Sequence, residues 1–140
     1  MDLKRAMATC VAASMTTLAV AQDARPIWLK CEGRTLVEKK ETNEKYYEPT
    51  SHIYRFSAAT CELEEFDQKN KVLKPTGSVK CSADEVSADD SGKGLFLSNV
   101  KIDRRSLSLT YFFLAKQLSL FATETCVLTP PPSEIAKPRI

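Results

Sequence analysis

Between residues 27 and 128, apolar side chains return at every second position in short runs broken by charged or turn-forming residues, the period of half-buried β-strands. "IWLKCEGR" sets Ile27, Leu29 and Cys31 on one face and Trp28, Lys30 and Glu32 on the other. "RTLVEKKE" follows after Gly33 with Leu36 and Val37, then turns charged. "HIYRFS" places His52, Tyr54 and Phe56 together, and "CELEEF" completes a predicted hairpin after the Ala58-Ala59-Thr60 turn. "SVKCSADEV" and "LFLSNVKI" are further strands; the second leads through a four-residue "DRRS" turn into "LSLTYFFLA" and "LSLFATETCVL". "ETNEKYYEPTS", "DQKNKVLKPTG" and "SADDSGKG" read as connections. A helix through 107–121 competes, since Leu107, Tyr111, Leu114, Leu118 and Phe121 also form a helical stripe. Aromatic and β-branched content favours strands there.

Seven to eight short strands without helix-length intervals predict an all-β domain: an antiparallel meander closing into a small barrel or sandwich. "TYFFLA" is nearly uncharged and would aggregate as an open edge, so it is expected in mid-sheet.

The first 21 residues break this pattern. Lys4 and Arg5 precede a short apolar stretch, Ala6–Val20, and Ala19-Val20-Ala21 supplies the small-x-small pattern of a signal-peptidase site. The stretch is too short and too rich in Thr and Ser to span a bilayer, which takes about 20 apolar residues. Lipidation at Cys10 fails because nine residues before it cannot hold a complete apolar region. The chain of 140 residues therefore divides into a signal peptide (1–21), one β-rich domain (22–128) and a disordered proline-rich tail (129–140). Its location is periplasmic or secreted, with no stable membrane span after cleavage. In the tail, "TPPPSEIAKPRI", three consecutive prolines remove backbone donors and impose an extended, solvated backbone.

Removing the leader takes Lys4, Arg5 and Asp2 from the 20 basic and 18 acidic residues, leaving a nearly neutral, interspersed surface. Such a surface offers no footprint for nucleic acid. Cleavage also removes Cys10 and leaves Cys31, Cys61, Cys81 and Cys126. An even number of cysteines in a small exported domain reads as disulfides. Three pairings are possible. The alternation puts all four cysteines inward, with Cys126 in step with Leu118, Leu120 and Leu128. The preferred pairing is Cys31–Cys126, first strand to last, with Cys61–Cys81 closing a smaller loop. On the loop-entropy account these contribute roughly 4–5 and roughly 3 kcal/mol. No Cys-x-x-Cys occurs and His52 is the single histidine, so no metal or other cofactor is expected.

Candidate chemistry is sparse. His52 beside Ser51 and Thr50 suggests acid–base work, yet there is no Gly-x-Ser-x-Gly turn to present a nucleophile. Glu62 and Glu64 fall on one outward face, unlike a carboxylate pair flanking a cleft. Asp84, Glu85, Asp89 and Asp90 resemble a calcium loop in charge alone. Trp28, Tyr46 and Tyr47 form a candidate contact surface, with Arg104 and Arg105 at an exposed hairpin tip. No catalytic residue is assigned. The reading is a non-enzymatic binding domain whose partner is an unidentified protein or envelope component; a small enzyme using His52 is the alternative.

"WLKCEG", "VKIDRRSLSLTY" and "ETCVL" together resemble a group of small uncharacterised secreted or periplasmic β-rich proteins of Gram-negative bacteria. The resemblance spans residues 28–126 and implies a periplasmic β-rich domain without implying an activity. Those proteins often carry glycine after the Ser/Thr of the Ile-Asp-Arg-x-Ser turn, where this chain has Leu107. "SADDSGKG" is loosely similar to the serine- and glycine-rich loop of periplasmic inhibitors of animal-type lysozyme, which implies inhibition of a lysozyme-type hydrolase as a further alternative.

Overall fold

A computed structural model describes residues 25–133, apart from the Lys93 side chain; the leader and most of the tail lie outside the described residues. Nine antiparallel strands form one sheet: β1 (Ile27–Lys39), β2 (Glu44–Ser57), β3 (Glu62–Asp67), β4 (Val72–Pro75), β5 (Ser78–Cys81), β6 (Glu85–Asp90), β7 (Phe96–Asp103), β8 (Ser108–Ala115) and β9 (Leu118–Thr129). Residues 107–121, where helix competed with strand, are strand but for short turns. Their "TYFFLA" lies in β8, an interior strand.

The sheet order is β4-β3-β2-β1-β9-β8-β7-β6-β5. Every neighbour is a chain neighbour except β1 and β9, the first and last strands. The two edge strands, β4 and β5, are joined only by Thr76 and Gly77. So short a link draws the edges together, and the sheet curls into a half-open barrel with its seam between them. The Cys61–Cys81 disulfide crosses that seam, and the Thr76 hydroxyl donates to the Leu63 carbonyl at 2.7 Å.

The extra strands have local causes. Gly33 lets the two predicted segments on either side of it run on as one strand, β1. "SVKCSADEV" splits instead, because the Ser82 hydroxyl accepts from the amides of Asp84 (3.3 Å) and Glu85 (3.1 Å) and bends the chain between β5 and β6. Val72–Pro75 pairs with β3 although it reads as loop. Its terminal proline is tolerated at the seam edge, where no ladder partner needs the missing amide. The polar "EKYYEPTS" belongs to β2: β3 covers only Tyr54–Ser57, so Pro49 sits where that side of β2 is open. Ser87–Asp90 of "SADDSGKG" likewise lie in β6, which leaves a shorter loop than expected.

The core is the concave face. Leu29, Tyr54, Phe56, Leu63, Val86, Ile102 and Leu109 are buried there around the Cys31–Cys126 disulfide. Those two cysteines stand directly opposite each other on β1 and β9. The second pair departs from the all-inward expectation, since Cys61 is half-buried and Cys81 exposed at the rim of the seam. Leu128 shares the inward parity of Cys126 but is exposed, because β9 there has outrun β8.

At Gly33 the β1 and β9 backbones approach closely. A Cβ there would meet the Glu124 Cα at 2.7 Å and the Thr123 carbonyl closer still, both backbone that cannot swing aside. Gly33→Ala is expected to lower the unfolding free energy by at least about 1–3 kcal/mol, as overpacking does. An unchanged urea midpoint would refute that close approach.

Candidate functional site

The inward parity of β9 carries one residue that is not apolar. Ala122, Glu124 and Cys126 all face the interior, and the Glu124 side chain is 0% exposed. A buried carboxylate must be paired and hydrogen-bonded to be tolerated. Register supplies the partners. Gly33 stands opposite Thr50 on one side and Glu124 on the other. With no side chain between them, Thr50 and Glu124 meet across the glycine. The Thr50 hydroxyl donates to Glu124 Oε2 at 2.6 Å, and His52 Nδ1 lies 2.7 Å from the same oxygen and 2.9 Å from Oε1.

His52 continues the chain of charges. Its Nε2 lies 3.8 Å from Glu65 Oε1, and its ring lies 6.0 and 6.4 Å from those of Tyr54 and Tyr111. The hydrogen bond to Glu124 raises the His52 pKa above its ordinary value, against the opposing effect of burial. Burial in turn raises the Glu65 pKa, with His52 pulling the other way. Tyr54 is held neutral chiefly by burial. No buried side-chain polar atom among the described residues lacks a partner.

Thr50, His52, Tyr54 and Glu65 line a cavity of about 320 Å³ at one end of the barrel, and Glu124 lies buried behind them. Thr35, Glu48, Thr76, Asp90, Ser98 and Tyr111 complete its wall from strands around the curl, so it is the lumen and not a surface groove. The volume falls at the lower end of small-molecule sites, about 300–1,000 Å³. Acid predominates among its charged groups: Glu48, Glu65 and Asp90 line it with a single imidazole, which Glu124 holds from within the core. Lys74, close to Glu65, is engaged with Asp67 at 2.8 Å. Among the described residues, no three His, Cys, Asp or Glu side chains gather so as to hold a metal ion.

The aromatic residues of the predicted contact surface are not brought together. Trp28 lies on the outer face, edge-on to Phe66 at 6.5 Å, with the Arg55 guanidinium 5.9 Å from its ring centre. Arg55 is itself paired with Glu64. Tyr46 stands opposite Val37, nine residues along β1 from Trp28, or about 30 Å. Tyr47 points the other way and joins an outer apolar row with Leu36, Phe121 and Phe112 on successive strands. Only Arg105 matches the exposed tip, paired there with Asp84 at 2.7 Å. Arg104 turns back over the Phe56 ring at 5.2 Å.

Sequence reasoning found His52 and its strand face but missed Glu124 and Glu65 as its partners and Thr50 as the second partner of Glu124. For Glu124 the signal was available: the alternation that turned Cys126 inward turns Glu124 inward too. No protein-family model matches the chain, and no curated protein matches its sequence. Fold and cavity alone define its class: a small, doubly disulfide-braced, all-β domain with a polar lumen, as suits an oxidising extracytoplasmic compartment.

Proposed function

We propose that this protein is a non-enzymatic binding domain, exported by cleavage after Ala21, that holds a small organic cation in the polar mouth of its barrel. The observation that carries the reading is the acid-lined cavity organised by the buried Glu124–His52 pair. Both ring nitrogens of His52 face carboxylates, and a ring so held braces a wall instead of abstracting protons. The Thr50 hydroxyl is likewise committed to Glu124. Glu65 is 42% exposed and Glu48 is exposed, so both remain available to a ligand, with Ser98 and Tyr111 offering hydroxyls.

Calorimetric titration of the disulfide-intact protein with 1,4-diaminobutane, and with succinate as the anion of equal length, tests this. The diamine is expected to bind saturably, more weakly in Glu65→Gln and at higher salt. Binding should also weaken as acid neutralises Glu65, whose raised pKa brings that loss in earlier than for an ordinary carboxylate. Equal binding of succinate, or no saturable binding of the diamine, would overturn the proposal.

A further inference from the structure

The opposite mouth of the barrel has the reverse chemistry. Where β1 begins and β2 ends, a cavity of about 150 Å³ is walled by Leu29, Phe56, Val86, Ile102 and Leu107, with Arg25 and Arg104 at its rim. An apolar space of this size, lined by Leu, Ile and Phe, matches a benzene-sized group in volume. Among the described residues no acid is paired with either arginine.

Leu107 ties this cavity to a backbone cost. Its φ of 57° is left-handed, a conformation that strains a residue with a side chain and that glycine adopts freely. Two hydrogen bonds impose it: the Leu107 amide donates to the Asp103 carbonyl at 2.9 Å, and its own carbonyl accepts from the Cys126 amide at 2.7 Å. The leucine side chain forms part of the cavity wall and packs on the core, which a glycine would leave open. Strain of this kind persists where the surroundings over-determine it, and it gathers at binding sites. Arg104 is also positioned. Its Nη1 donates to the Ser82 carbonyl at 2.6 Å while its guanidinium lies over Phe56, at the apolar opening. A guanidinium has five N–H donors, so most of the fork is left to face a carboxylate.

We propose that this mouth is a second ligand site, which takes a small organic carboxylate: its benzene-sized apolar group in the cavity and its anion on Arg104 and Arg25. The site is independent of the polar lumen, shares none of its residues and would stand if no cation bound there.

The test uses the disulfide-intact protein and four probes of similar size: benzoate, phenylacetate, benzylamine and toluene, followed by amide and guanidinium NMR shifts. Benzoate or phenylacetate should bind saturably, shifting the Leu107 amide and the Arg104 Nε–H, while benzylamine binds far more weakly. Arg104→Gln should lower carboxylate affinity about tenfold to a hundredfold, the range for a lost charge-assisted hydrogen bond, and leave toluene binding unchanged. Arg104→Lys, which keeps the charge and loses the fork, should fall between. Leu107→Gly should weaken carboxylate and toluene together by opening the wall. Carboxylate and amine binding alike, an Arg104→Gln variant of unchanged affinity, or no saturable binding of any probe would overturn the proposal. Folding of each variant is read from the same spectra, and the lysine variant decides should the glutamine variant unfold.

Discussion

Replacing Cys31 and Cys126 together with alanine should cost about 4–5 kcal/mol of unfolding free energy, against about 3 kcal/mol for the Cys61/Cys81 pair. The ranking follows from chain length, because the first bridge closes a loop of 95 residues and the second one of 20. The first bridge is not needed to bring its strands together in the folded state. β1 and β9 pair from Trp28 to Lys39 on either side of Cys31–Cys126. Stabilisation therefore acts through the unfolded chain, whose first and last strands the bridge holds close before the sheet forms. Small domains have about 5–15 kcal/mol in all, so the loss is a large part of what this fold possesses. Urea unfolding of the two variants under oxidising conditions checks it. A larger loss from the Cys61/Cys81 pair would show that the seam, and not loop length, governs stability.

The second large effect lies at His52. His52→Ala leaves the Glu124 carboxylate buried with Thr50 as its one remaining partner. Stranding one member of a buried ion pair costs about 3–5 kcal/mol; the lower end is expected here because the ring is 26% exposed and water can enter the vacated space. Adding Glu124→Gln should return most of that loss, since the amide removes the charge and still accepts from Thr50. The pair thus departs from additivity. The pH dependence has a definite sign. His52 is raised from 6.5, so its stabilisation is complete below that value and is lost as pH climbs through the folded-state pKa. Glu65, raised from 4.5 by burial, acts in the same direction, its share being lost as pH rises through its own folded-state value. Wild-type stability should decline above pH 6.5 with a slope that His52→Gln removes. A midpoint flat from pH 6 to 9 would show that folding leaves the imidazole pKa at its unfolded value, and a rising one that the imidazole is neutral in the folded protein.

Much of the fold was legible because an antiparallel sheet writes its two faces into alternate residues. The alternation in "IWLKCEGR", "HIYRFS" and "LSLTYFFLA" gave strand type and facing, and the parity shared by Cys31 and Cys126 anticipated their bridge. Strand ends were less legible. Pro49 and Pro75 look like breakers, and they are accommodated only because β2 outruns β3 and β4 lies at the seam. The candidate site was the least legible part. Thr50 and His52 on β2 lie 74 and 72 residues from Glu124 on β9, and the missing side chain of Gly33 lets Thr50 and Glu124 meet.

The sequence alone determined the β class, the inward face of the central strands and a supply of cysteines suited to bracing a small core, because each follows from local period and composition. Tertiary structure decided the rest: the meeting of first and last strands, the seam between β4 and β5, and the separation of an acidic mouth from an arginine-rimmed apolar one. Those features depend on register between distant segments. Register fixes which buried groups become neighbours, and a carboxylate stays charged in a core only when that neighbour can answer its charge.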